Sequence, residues 1–115
     1  MSRKDRKRIT AKPKAKARVF AALGDKTRLA LIAQLCSGES ASISKLAEES
    51  KITRQAITKH LGILERAGIV SSTQSGRERL FSFDPEPFQD LQQYLASVSK
   101  QAEQAAARRK SRTPK

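Results

Sequence analysis

The stretch that decides the fold is Ser42-Ile43-Ser44-Lys45-Leu46-Ala47-Glu48-Glu49-Ser50-Lys51-Ile52-Thr53-Arg54-Gln55-Ala56-Ile57-Thr58-Lys59-His60-Leu61-Gly62-Ile63-Leu64-Glu65-Arg66-Ala67-Gly68. Ser42 precedes Ile43, Leu46 and Ala47, whose spacing predicts a short helix ending near Ser50. A turn follows, and Thr53 caps a longer helix that runs to Ala67 and closes at Gly68 as a C′ residue. Short helix, tight turn and longer helix together make a helix-turn-helix, in which the second helix can enter the major groove of DNA. Ile57, Leu61 and Leu64 form its inward stripe, and Arg54, Gln55, Thr58 and Lys59 fall outside it in the first half. Arginine can donate twice to guanine O6 and N7, and glutamine can pair with adenine N6 and N7. Threonine and lysine reach bases or phosphates. Ser42 and Thr53 are candidates for contact with the DNA backbone as well as for helix caps. The competing reading of the same face is an ordinary solvated helix surface.

Downstream, Ile69 and Val70 open a strand, Ser75-Gly76 marks a tight turn, and Leu80, Phe81 and Phe83 form the return strand. Arg77 and Arg79 alternate with Glu78 at the tip, where arginine can enter a minor groove or clamp phosphates; charge that protects an exposed strand edge is the alternative. Asp84-Pro85-Glu86-Pro87 then breaks the chain and starts a last helix over about 86–107. Phe88, Leu91, Leu95, Val98, Ala102 and Ala105 recur along it at alternating steps of three and four, a heptad seam that asks for a partner helix. Upstream, helical character begins near Lys16, with Val19, Phe20 and Leu23 on one face. Gly24 ends that segment and Asp25 can cap the next. The helix over about 26–37 is expected to turn Leu29, Ile32, Leu35 and Cys36 inward, with Leu31 flanking them.

The 115 residues suffice for one domain, and the predicted fold is mainly α with a β-hairpin, a winged helix-turn-helix. A basic arm expected to be disordered spans 1–15, the domain 16–107, and a basic tail 108–115. The net charge is +13, and its placement is informative. Residues 1–18 hold nine Lys/Arg against Asp5, and residues 100–115 hold six against Glu103. Residues 19–99 balance nine basic against nine acidic side chains. Basic ends on a neutral body point to polyanion binding by counterion release, with solubility as the plainer reading. No run approaches a membrane span, and no apolar segment follows the basic N-terminus as in a secretory signal. The expected location is therefore cytoplasmic, on the nucleoid. A single cysteine excludes an internal disulfide, and few aromatics argue against a base-stacking single-strand surface. No paired carboxylates, phosphate-binding glycine loop or nucleophile–histidine spacing is present, so no enzyme is expected and no cofactor is called for.

Three segments in order resemble the ArsR/SmtB family of winged-helix repressors. Ala22-Leu23-Gly24-Asp25-Lys26-Thr27-Arg28-Leu29-Ala30-Leu31-Ile32 looks like that family's "ALADPTRLRIL" opening. Thr53-Arg54-Gln55-Ala56-Ile57-Thr58-Lys59-His60-Leu61 with Leu64-Glu65-Arg66-Ala67-Gly68-Ile69-Val70 resembles its recognition helix and exit. Gly76-Arg77-Glu78-Arg79-Leu80-Phe81 resembles its wing. The likeness covers roughly 19–98. It implies α-α-α-α-β-β-α topology, a homodimer joined through the first and last helices, and a palindromic double-stranded operator. It places Arg54, Gln55, Thr58 and Lys59 toward the major groove. It also gives Phe20 a place in the interface beside Phe88, Leu91, Leu95 and Val98.

The sequence departs from the family at Lys26, where proline is usual, and at the sensor sites. The helix before the turn carries no cysteine or histidine, and the last helix offers Glu86, Asp90 and Glu103 without histidine. Metal sensing is not expected, because soft or borderline metals want thiolate or imidazole ligands. Cys36 reads as inert buried packing, and His60 as a partly buried histidine with a local partner. The leading expectation is a dimeric sequence-specific repressor, with room for a small-molecule effector of unread identity. The alternatives are an architectural, sequence-neutral DNA binder driven by the arms, and a winged module that docks another protein.

Overall fold

The computed structural model describes residues 13–112. The elements follow as α1 (Pro13–Leu23), α2 (Lys26–Cys36), α3 (Ile43–Ser50), α4 (Arg54–Arg66), β1 (Val70–Ser75), β2 (Glu78–Phe83) and α5 (Glu86–Arg112). This is the expected winged helix-turn-helix order. Helix α1 already includes Pro13, so residues 13–15 are helical and not part of an arm. Proline fits a first turn, where its missing N–H has no intrahelical acceptor to lose. Helix α5 runs on to Arg112, past the expected end near 107, through alanine, arginine and lysine, all strong helix formers. The rest of the expected arm, 1–12, and residues 113–115 of the tail lie outside the described residues.

The core is built where α2, α3 and α4 meet the base of the hairpin. Leu31, Leu46, Ile57, Leu61, Leu64 and Ile69 are its most enclosed side chains, each under 2% exposed. The inward stripe of α4 is therefore the expected one. That of α2 is not. Leu31, Ile32 and Leu35 are buried, whereas Leu29 is 52% exposed and Cys36 lies at the surface. Position 28 completes the buried stripe at i, i+3, i+4 and i+7. It is filled by an arginine whose guanidinium is satisfied inside the fold, so anchoring the stripe on Leu29 rotates the helix the wrong way. In α1 the buried residue is Ala22, with Val19 and Leu23 packed beside it.

Helix α4 ends in a Schellman motif. Ile69 N–H donates to Leu64 O (3.0 Å) and Gly68 N–H to Glu65 O (3.0 Å), with Gly68 at φ 80°. The motif throws Ile69 and Val70 straight into the core and launches β1. Val70 pairs with Phe83 and Ser75 with Glu78, antiparallel, so Gly76 and Arg77 form the two-residue turn. Gly76 has φ 62°, and positive φ at the first central position only is the II′ pattern that matches strand twist. The turn thus lies one residue later than Ser75-Gly76. Ala41 exchanges both backbone hydrogen bonds with Phe81 (3.0 and 2.9 Å), tying the wing's root to the approach to α3.

The heptad seam of α5 is covered within the protomer only at its start. Phe88 packs against the core and meets Phe83 edge-on at 5.0 Å, and Leu91 is 6% exposed. Both pack within the protomer. Leu95 (50%) and Val98 (43%) remain exposed. Across residues 92–111 the side chains are largely exposed apart from Ala105.

Candidate nucleic-acid interface

The helix-turn-helix is held by side-chain caps. Ser42 Oγ accepts from Lys45 N–H (3.2 Å), and Thr53 Oγ1 accepts from Ala56 N–H (3.1 Å). Between them Lys51 takes the left-handed conformation (φ 62°, ψ 27°) and its N–H donates to Ala47 O, which closes α3 and turns the chain into α4. Ser50 Oγ donates to Leu46 O (2.6 Å) and accepts from Ile52 N–H (3.3 Å), so the turn is bonded on both sides.

The four expected base readers all lie on the exposed face of α4, but they are not equivalent. Arg54 Nη2 donates to Ser44 Oγ on α3, and Thr58 Oγ1 donates to Arg54 O (2.8 Å). Arg54 thus spans the two helices of the motif, and the Thr58 hydroxyl is bonded back into its own helix. Gln55 and Lys59 are exposed and have no hydrogen-bond partner among the described residues. They are the side chains with their full donor capacity available to a groove.

The wing divides in the same way. Arg77 stands exposed in the turn, without a partner among the described residues. Arg79 reaches back, its Nη1 donating to Ser72 Oγ (2.8 Å), while Ser72 Oγ donates to Glu65 Oε2 (2.9 Å) on α4. This chain ties the hairpin to the last turns of the recognition helix. Sequence reading missed it because its three members are seven residues apart on different elements, a spacing with no local signal.

A second network lies behind α4. Arg28 Nε donates to Ala22 O (2.7 Å), Nη2 to Ala21 O (3.5 Å) and Nη1 to His60 Nδ1 (3.2 Å). Arginine is a donor only, so His60 Nδ1 is the acceptor in this contact. His60 is partly buried as expected, but its partner is distant in sequence, not local. Asp25 caps α2 through Arg28 N–H (2.9 Å) and stands 3.9 Å from His60 Nδ1. The backbone N–H of Arg28 lowers the Asp25 carboxyl below its ordinary value; desolvation opposes this, and the Arg28 charge adds to the lowering. This cap supplies the start of α2 that Lys26 cannot.

Of the expected interface residues, Phe20 (37% exposed), Leu95 and Val98 form an open apolar strip on α1 and α5. Tyr94 (43% exposed), not foreseen, joins them edge-on to Phe20 at 6.2 Å, with Lys16 Nζ 5.6 Å from its ring centre. Among the described residues no group of three or more His, Cys, Asp or Glu could hold a metal ion. No described helix is long and apolar enough to cross a membrane.

A helix-turn-helix domain family matches residues 23–73. The HTH-type transcriptional regulator YuzN of Bacillus subtilis is 38% identical over 79 residues, covering 64% of this chain and 86% of that protein. An ArsR-like transcriptional regulator from Rhodococcus sp. RHA1 superposes with a TM-score of 0.79 at 32% identity, over 85% of this chain and 92% of that one. The homodimeric winged helix-turn-helix DNA-binding domain Mb0332 from Mycobacterium bovis shares the fold, with a TM-score of 0.63 at 22% identity over 86% and 88% of the two chains. These relatives are transcriptional regulators and not enzymes. With the capped helix-turn-helix, the hairpin wing and the long final helix in place, the chain belongs to the ArsR family of winged helix-turn-helix, DNA-binding transcriptional regulators.

Proposed function

We propose that the protein is a homodimeric, sequence-specific repressor that binds a two-fold operator in the cytoplasm and responds to no metal. The observation that carries this reading is the pair Gln55 and Lys59, without hydrogen-bond partners among the described residues, on the first half of a helix whose opposite face is locked in the core. A rigid helix with free polar groups at its leading end is suited to base readout, because the side chains lose little order on binding. Arg77 at the wing tip and the cap residues Ser42 and Thr53 supply backbone contacts that fix the register. Dimerisation is supported by the strip of Phe20, Tyr94, Leu95 and Val98, and by a helix that extends far beyond its own protomer's packing. The homodimeric state of the Mycobacterium bovis relative is in keeping with it. Metal insensitivity is supported by the chain's single cysteine and single histidine, the latter already bonded to Arg28.

Footprinting with the purified protein tests the proposal: the expected result is a two-fold site with half-sites about one helical turn apart. Gln55→Ala is expected to relax preference at one base position per half-site at a cost of about 1–3 kcal/mol. Equal loss of affinity for every sequence would remove direct readout by Gln55. An architectural role is the second reading, favoured by the concentration of net charge in the two ends. Removing residues 1–12 separates the two. A repressor of this design selects the same site with a shallower salt slope, whereas an arm-driven binder loses DNA.

A further inference from the structure

On the side of α4 away from its leading end, α1, the start of α2 and the last turn of α4 enclose an open groove of about 550 Å3. Arg18, Arg28 and Arg66 line it, one from each helix, over a floor of Ala21, Ala22 and Ile63. No carboxylate lines it, and neither Arg18 nor Arg66 has an ion-pair partner among the described residues. Three arginines line one small space with no carboxylate among them, so an anion placed there offsets their mutual repulsion. Arg28 cannot swing away, since its contacts to Ala21 O, Ala22 O and His60 fix its plane. Guanidinium N–H groups remain on it for a ligand. The apolar floor suits a short carbon skeleton and the rim suits its charge.

We infer that this groove is a binding site for a small organic anion, a carboxylate or phosphate ester, and that it is coupled to DNA recognition through Arg28 and His60. A ligand held by Arg18 and Arg28 on one wall and Arg66 on the other braces the recognition helix against α1. It touches the arginine that bonds His60, one turn before Ile63 on that helix. By linkage, any change the ligand makes in DNA affinity is matched by an equal change that DNA makes in ligand affinity. The inference of coupling rests on the repressor reading; the inference of a site does not.

The test keeps the two apart. The full-length protein, labelled with 15N in chloride buffer, is titrated without DNA using inorganic phosphate as the probe, at constant ionic strength. The expected result is saturable shifts of the Arg18, Arg28 and Arg66 side-chain N–H signals and of the Ala21 and Ala22 amides, followed by the His60 ring. Replacing Arg18 and Arg66 together by Gln is expected to weaken this by about tenfold or more, as lost charge-assisted contacts should. Both side chains are exposed, so the variant keeps the core intact. Shifts that grow linearly with phosphate, match those from chloride, or survive in the double variant mean an adventitious ion only and overturn the site. Protection of the same arginine signals by duplex DNA and not by phosphate overturns it in favour of a DNA contact. Saturable binding with phosphate that leaves operator affinity unchanged keeps the site and overturns the coupling.

Discussion

Gly68 carries more than its size indicates. It sits at φ 80°, where any other L-residue crowds its own carbonyl. An added Cβ would meet only Pro87 Cγ at 3.9 Å, an ordinary contact, so the cost of substitution comes from the backbone alone. Gly68→Ala is expected to destabilise the fold by about 1–2 kcal/mol, read as a shift in the urea midpoint with unchanged slope. Lys51 occupies the same region without the excuse of being glycine (φ 62°), and Lys51→Gly is expected to raise stability by up to about 1 kcal/mol in the same assay. Asp25 adds a pH dependence. Its folded carboxyl is held below its unfolded value, so its contribution is complete above about pH 4 and is lost as pH falls through the folded value. Asp25→Asn keeps a capping oxygen but removes the charge. Thermal melts from neutral to acid pH should therefore fall less steeply in that variant than in the natural chain.

At the level of elements, the helix-turn-helix and the wing were legible because their signals are local. Ser42, Thr53 and Gly68 punctuate the helices, and Ile57, Leu61 and Leu64 keep an apolar period that no tertiary contact overrides. Two faces were not legible for related reasons. The stripe of α2 begins with a charged residue, and nothing near Arg28 in sequence announces that Ala21 O, Ala22 O and His60 will satisfy it. The seam of α5 has one unbroken period, yet Phe88 and Leu91 pack within the protomer while Leu95 and Val98 stay exposed, and a period does not record what covers each part of a face. Nor could spacing reveal that Arg79 is bonded through Ser72 to Glu65. That chain gives a prediction at this scale. Ser72→Ala leaves the strand pairing intact but removes the side-chain link from the wing to Glu65 on α4. Operator affinity is expected to drop with little change in melting temperature, and amide exchange in the Ser75–Glu78 turn to rise. Unaltered affinity would mean that the wing's position is set by strand pairing alone.

For the molecule as a whole, the exposed strip and the distribution of charge act on different quantities. Leu95→Glu with Val98→Glu places charge where an apolar partner is expected. Sedimentation is expected to show a monomer that retains its helix-turn-helix core but binds an operator far more weakly, because each half-site then binds alone. A variant that stays dimeric would move the interface elsewhere. The charge at the two ends acts instead on the salt dependence, since residues 19–99 are formally neutral.

The uncovered length of α5 also bears on how long the protein lasts. Residues 92–111 form a largely exposed helix that rests on its own protomer where Tyr94 meets Phe20 and Lys16, and most helical stability in proteins comes from such packing. As the proposed dimer is diluted, that segment should fray and become a substrate for proteolysis. Chain lifetime then rises with chain abundance. Such a regulator clears itself quickly once synthesis stops and persists when it is plentiful, which sharpens the response to its own gene dosage without any ligand taking part.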